Sequence, residues 1–240
     1  MKISTLFIIV GMVILSFYVL IEVNYYAAAD IIMENQSDVP FLEIPAIGVN
    51  ESINNKSVSY GIYHEPQSSK PGRGTVIIFG HRTLYGSPFL DLDKLKNGDK
   101  INLIWPEIGN AQYTVNDTFI VPASYRMSVE QGNTLFLITC YPLGSTRERY
   151  IVQAKLEGIT PITNKTTREN PKSFYAPLLI VGFFGIGMII NYIYPVDEDK
   201  KIIFVAVLAL TLFLIFGYIF PTPADYISNK LAEINSLLGV

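Results

Sequence analysis

Thr134-Leu135-Phe136-Leu137-Ile138-Thr139-Cys140 is an apolar run bounded by polar residues, and its length and composition read as a buried strand. A short Tyr141-Pro142-Leu143-Gly144 turn follows. The chain then resumes as Arg149-Tyr150-Ile151-Val152-Gln153-Ala154-Lys155-Leu156, whose period of two sets Tyr150, Val152, Ala154 and Leu156 on one face and Arg149 on the other. If the two runs pair across the turn as a hairpin, Cys140 and Arg149 meet near one rim of a sheet.

Cys140 is the only cysteine, so an internal disulfide is excluded. Free cysteine behaves as a small hydrophobe, and taken alone Cys140 reads as core. A second strand-like run, Thr75-Val76-Ile77-Ile78-Phe79, changes that reading, because it ends at Gly80-His81-Arg82 and so presents one of only two histidines where a buried strand emerges. A cysteine is a nucleophile as its thiolate, which a nearby imidazolium or guanidinium favours. His81 and Arg149 are the candidates, with Arg147 as a competitor placed in the turn. The other histidine, His64, sits in a polar, turn-bounded stretch and reads as a surface or hydrogen-bonding residue. No second cysteine exists and neither histidine has a partner at ligand spacing, which argues against a metal site. Asp91, Asp93 and Asp99 read as helix and cap charges rather than calcium ligands.

Short runs rich in Ile, Val, Thr, Tyr and Phe recur at 41–49, 53–60, 75–79, 100–105, 112–121, 135–140 and 149–156, broken by Gly, Pro, Asn and Asp. That pattern predicts an all-β fold, and a closed barrel is one way to remove its exposed edges. Two short helices are expected, at 90–95 and 127–131. Acidic and basic residues nearly balance between the apolar ends, so nothing resembles a nucleic-acid footprint.

Half the residues are hydrophobic and the mean hydropathy is +0.32, which is high for a soluble protein. The excess is concentrated in residues 3–23, 174–194 and 202–220, each long enough for a helix to cross a hydrocarbon core of about 30 Å. The expected organisation is an N-terminal transmembrane anchor (1–23), a stalk (24–40), a β-barrel (41–158), a linker (159–172), a transmembrane helical hairpin (173–220) and a tail (221–240). Ala27-Ala28-Ala29 offers a signal-peptidase-like site, but the apolar run exceeds the usual 7–15 residues of a secretory signal, which favours an uncleaved anchor. Lys2, Lys200 and Lys201 place the short loops in the cytoplasm by the positive-inside rule, so the barrel faces outward in a multi-pass protein of the cell membrane. Five sequons, beginning at Asn35, Asn50, Asn55, Asn116 and Asn164, all fall in that outward region.

The run Leu137-Ile138-Thr139-Cys140 resembles the sortase signature TLxTC. The segment Gly80-His81-Arg82, followed by Pro88-Phe89-Leu90-Asp91-Leu92-Asp93-Lys94-Leu95-Lys96-Asn97-Gly98-Asp99, is similar to the sortase stretch GHR…LF…LDxLKxGD. The pieces occur in the family's order, with Arg149 at the family's place after the cysteine. The resemblance implies an eight-stranded sortase-like barrel with short helices. It also implies a cysteine transpeptidase that needs no cofactor. In the roles so implied, Cys140 attacks the carbonyl between Thr and Gly of an LPxTG-like signal on a surface protein. His81 is the general acid/base and Arg149 orients substrate or stabilises the oxyanion. Thr139 and the backbone N–H of Tyr141 are further substrate or oxyanion contacts. The partners implied are surface proteins bearing that signal and an amine acceptor on the cell wall or a pilin, with the lipid bilayer as support. The spacing from Cys140 to Arg149 resembles that of pilin-polymerising class C enzymes, although residues 30–40 lack their aspartate-proline-aromatic lid motif. Two other readings use the same residues: a surface cysteine endopeptidase that transfers its acyl group to water, and a non-catalytic membrane-tethered β-barrel in which Cys140 is core.

Overall fold

The fold is a computed structural model that describes residues 2–35, 39–127, 132–162, 172 and 174–221. It divides into two compact units, Ile31–Asn170 and a helical unit of Met1–Asp30 with Pro171–Val240.

In the first unit, eight strands close into a barrel, as expected. They are β1 (Phe41–Ile44), β2 (Val49–Asn54), β3 (Ile62–His64), β4 (Val76–Phe79), β5 (Lys100–Trp105), β6 (Gly109–Pro122), β7 (Thr134–Tyr141) and β8 (Glu148–Thr160). Their order around the barrel is β1-β2-β3-β4-β7-β8-β6-β5. The main core fills the barrel with Val76, Ile78, Leu135, Leu137, Val152 and Ala154 among others. The alternate residues Ile77, Phe136, Ile138 and Ile151 form a second cluster on the opposite face of β4, β7 and β8, with Phe79, Phe119, Val121 and Met127 packed against it. β7 is therefore buried on both faces, which is why its sequence is a continuous apolar run rather than an alternating one.

Several local expectations need correction. The runs 41–49 and 53–60 are each interrupted. Pro45–Ile47 forms a 3-10 turn closed by Gly48 at φ 66°, a left-handed conformation that glycine adopts without a Cβ clash, and Val58–Tyr60 forms another behind the Ser57 cap. β3 was not anticipated, since three residues carry too little periodicity to register. The helix expected at 90–95 shrinks to one 3-10 turn, Leu92–Lys94. Of the helix expected at 127–131, Met127 is irregular and 128–131 lie outside the described residues.

The second unit holds α1 (Ile3–Asn35), α2 (Tyr175–Ile193) and α3 (Asp197–Ile219). Each contains a stretch long and apolar enough to cross a membrane, with Ile3–Ala27 the span in α1. Helix α1 runs on to Asn35, so part of the stretch read as stalk is helical. Its inner face packs Leu20 and Val23 against Ala176, Ile180 and Phe183 of α2 and Leu214 of α3. The hairpin helices approach closely at Gly187, where a Cβ would fall 2.8 Å from Val207, the small-residue contact expected where helices pack without a hydrophobic driving force. At the end where the chain begins, the Asp199 carboxylate accepts from the Lys2 N–H at 2.8 Å and the Thr5 hydroxyl at 2.6 Å, and the Tyr194 hydroxyl lies 2.6 Å from that of Thr5.

Candidate active site

Strand register assembles the site. β4 and β7 run parallel, with Val76 opposite Leu135 through Phe79 opposite Ile138. The ladder continues past the strand, because the Gly80 N–H donates to the Ile138 carbonyl at 3.1 Å and the Thr139 hydroxyl donates to the Gly80 carbonyl at 2.8 Å, a pair at the same offset of 59 residues. His81 follows directly on Gly80, so it stands at the Cys140 end of the barrel. On the other side β7 and β8 are antiparallel, and Cys140 stands opposite Arg149. Cys140 and Arg149 thus form a row across adjacent strands, which in a sheet lie about 4.8 Å apart, and His81 follows the anchored Gly80 at the same rim.

Side-chain parity puts the row on the outer face. Cys140 shares the face of Phe136 and Ile138, and Arg149 shares that of Ile151, all three apolar residues belonging to the outer cluster. Cys140 is half-buried at the rim, not enclosed in the barrel core. Along β7 and β8 the neighbouring residues of that cluster are themselves buried, beneath Phe79, Phe119, Val121 and Met127. Thr139 has the opposite parity and is 3% exposed, so its hydroxyl fixes the backbone ahead of His81 instead of facing substrate. Tyr141 lies within β7 opposite Glu148.

His81 leaves β4 into a constrained loop. Gly80 has no room for a side chain, since a Cβ would lie within 3 Å of three Phe89 ring atoms, the nearest at 2.5 Å. The Phe89 N–H closes the loop on the His81 carbonyl at 3.0 Å. Between them Leu84, Tyr85, Gly86 and Ser87 have φ of 61°, 51°, 69° and 46°, four consecutive left-handed residues of which three carry a Cβ. Such conformations cost of order 1–3 kcal/mol each and persist where packing imposes them. Here the imposed product is Tyr85, 3% exposed and stacked on the His81 ring at 4.5 Å between centroids.

Arg149 is held by its own turn. Its Nη1 donates to the Thr146 carbonyl at 2.8 Å and to the Glu148 carbonyl at 3.0 Å, and Nε and Nη2 are left for other acceptors. Arg147 is exposed in the turn, as its position suggested.

Arg82, to which the sequence assigned no role, and Asp93, read as a helix charge, complete this end. Arg82 has the inward parity and is 7% exposed. Its Nε donates to the Leu90 carbonyl at 3.3 Å, its Nη2 pairs with the Asp93 carboxylate, and its guanidinium lies over the Tyr141 ring at 5.3 Å. Asp93 is therefore an ion-pair partner and not a solvated helix charge. Asp91 pairs with Lys94, and Asp99 accepts from the Lys96 N–H at 2.8 Å, so these two are local turn charges as expected.

Of the two roles expected for His64, hydrogen bonding holds and surface exposure does not: it is 7% exposed, with Nε2 within 3.2 Å of the Ser68 hydroxyl and 3.1 Å of the Ser69 carbonyl and its ring against Trp105. Burial pushes its pKa down, so it is neutral at neutral pH. It lines a cavity of about 810 Å³ with Lys56, Lys70, Arg73, Trp105 and Glu107. Trp105 and Gly109 flank the turn between β5 and β6, and the next pair along β6 is Asn110 with Thr160, at the far end of β8 from Arg149. The cavity is therefore at the rim opposite Cys140, where the chain enters through Val39 and Pro40. Among the described residues no group of three His, Cys, Asp or Glu could hold a metal ion.

Residues 42–157 match the family model of the sortase domain. The chain is 23% identical over 149 residues to the Streptomyces coelicolor protein Sortase SrtE2, a match that covers 52% of this chain and 58% of that protein. The chain therefore spans somewhat over half the length of that curated relative. Among solved structures it is similar to a Clostridium perfringens Sortase D5 transpeptidase, at 30% identity and a TM-score of 0.44, covering 50% of this chain and 79% of that one. It is also similar to Streptococcus pneumoniae Sortase C, at 25% identity and a TM-score of 0.47, covering 53% and 73%.

Proposed function

Since the chain belongs to the sortase family, we propose that it is a cysteine transpeptidase of the cell surface. It cleaves an LPxTG-like signal of a surface protein and joins the cleaved end to an amine on the cell wall or a pilin. The observation that carries this reading is the pairing of Cys140 with Arg149 at the rim where His81 leaves β4 beside the Thr139-anchored Gly80. The Cys140 thiolate attacks the Thr carbonyl carbon, and the electron pair of the C=O bond moves onto oxygen. Collapse of that intermediate forms the thioester and breaks the bond to Gly, whose nitrogen takes a proton from His81. The incoming amine then attacks the thioester, gives its proton to His81 and releases the thiolate. Arg149 offers Nε and Nη2 to the developing oxyanion.

The three apolar helices suit membrane anchoring, and in the arrangement we propose all three cross the membrane uncleaved. Lys2, Lys200 and Lys201 then lie in the cytoplasm and the barrel outside.

The test is to incubate the full chain in detergent with an LPxTG-type peptide and glycinamide and to analyse it by mass spectrometry. A covalent adduct on Cys140 and a peptide–glycinamide product are expected. Product formed only by addition of water would favour the endopeptidase reading, and no adduct would reject both enzymatic readings. The two arginines are separable in the same assay. Arg149→Lys keeps the charge but loses the planar fork, and we expect a fall of about 10²-fold or more in kcat/KM, the scale of a lost oxyanion donor. Arg147→Lys and Arg147→Ala should stay within about twofold, since an exposed turn charge contributes little. A reversed pattern would reassign the third residue.

A further inference from the structure

We infer that Arg82 and Asp93 form a clamp that positions His81 against Cys140, so that both are positioning residues for the proton transfer. The inference rests on the proposed role of His81. Backbone on both sides of His81 is anchored: Gly80 by the Thr139 hydroxyl, and Arg82 by three separate contacts. Those contacts reach two segments. The Leu90 carbonyl and the Asp93 carboxylate belong to the return of the His81 loop, whereas the Tyr141 ring belongs to the residue that follows the nucleophile. One side chain at the mouth of the barrel thereby ties the histidine segment to the cysteine strand.

The cost of this arrangement argues against a purely stabilising purpose. Arg82 is a charged residue with 7% exposure, Asp93 is 34% exposed, and Arg82 Nη1 is buried with no hydrogen-bond partner. A buried ion pair of this kind is weak support for stability, and well-packed apolar residues of similar volume often replace it without loss. What apolar residues cannot supply is the fork that addresses two acceptors in fixed directions. The loop it closes contains the left-handed residues that bring Tyr85 under the His81 ring, so loss of the fork releases the residues on which the ring orientation depends. Misplacement of a reacting group by about 1 Å can cost about 10²-fold in rate.

The decisive variant is Arg82→Met/Asp93→Leu in the full chain, which removes both charges together and keeps the volume. We expect a melting temperature within a few degrees of the parent, kcat for peptide–glycinamide transfer lower by about 10–100-fold and KM within about threefold. In parallel, the rate of Cys140 alkylation by iodoacetamide is followed against pH. The double variant's profile should move toward that of His81→Ala, a shift that loss of stability alone would not produce. A folded double variant with parental kcat and a parental alkylation profile overturns the clamp. If the double variant does not fold, Arg82→Lys, which keeps the charge opposite Asp93 but not the fork, is read by the same two criteria. If the parent forms no adduct with the peptide, the functional reading fails on its own. The alkylation profiles then decide the clamp, with coincidence with His81→Ala supporting it and coincidence with the parent rejecting it.

Discussion

Cys140→Ala is expected to abolish the covalent adduct and the transfer product while the barrel remains folded. The substitution removes the one sulfur able to attack a carbonyl, and no other cysteine can take its place. Its structural cost is small for a reason visible in the fold. Cys140 is half-buried at the rim of β7, beyond the fully buried stretch from Leu135 to Leu137, so the apolar area lost is a fraction of one side chain. At about 25 cal/mol per Å² that amounts to ~1 kcal/mol or less. Thermal melts should shift by only a few degrees, and the adduct should disappear from the mass spectrum. Unchanged turnover in the alanine variant would remove the cysteine mechanism altogether. The same variant decides against the non-catalytic reading, in which a core cysteine is inert to thiol reagents and its replacement costs stability rather than chemistry.

How the site is encoded differs from residue to residue. The pairing of Cys140 with Arg149 was legible because it is local: a strand, a short turn and a strand of known period leave few registers, and the structure adopts the one that brings both to a single rim. The period also set Arg149 away from the core face of Tyr150, Val152, Ala154 and Leu156. It did not reveal that the other face is covered in part by a second apolar cluster, because Ile138 and Ile151 acquire neighbours only when β4 and β6 come alongside. The place of His81 at the Cys140 rim depends on the parallel pairing of β4 with β7, and pairing across 59 residues leaves no trace in local periodicity. Its sequence signal was the resemblance to the sortase stretch around Gly80-His81-Arg82. Arg82 and Asp93 were both present in those motifs, but a motif letter does not state a contact. Asp93 looked like a helix charge because the short run 90–95 looked helical, and that helix is a single 3-10 turn whose role is to present Asp93 to Arg82. The missed strand β3 has a similar cause. Three residues pair in parallel with β2 and antiparallel with β4, and only that tertiary placement makes them a strand.

The two histidines give the second large effect, and their contrast tests the site as a whole. His81→Ala should lower kcat/KM by about 10²–10⁴-fold, the usual contribution of a positioned general acid–base group. The loss should fall mainly on kcat, because the alanine removes the proton donor and leaves Arg149 in place opposite Cys140. His64→Ala should leave turnover within about threefold, for His64 lines the cavity at the opposite rim of the barrel and its imidazole contacts Ser68, Ser69 and Trp105. Its effect should appear in stability instead. Because burial depresses its folded pKa below the unfolded value near 6.5, the unfolded chain binds a proton more readily and the folded state loses stability as pH falls below that value. His64→Ala should remove that acid-side slope, whereas His81→Ala should leave stability nearly unchanged at neutral pH and remove activity. Thermal melts between pH 5 and 8, paired with turnover measured at pH 7.5, separate the two. Equal losses of turnover at both positions would mean that the effect of His81 reflects general disturbance of the barrel and not proton transfer at Cys140.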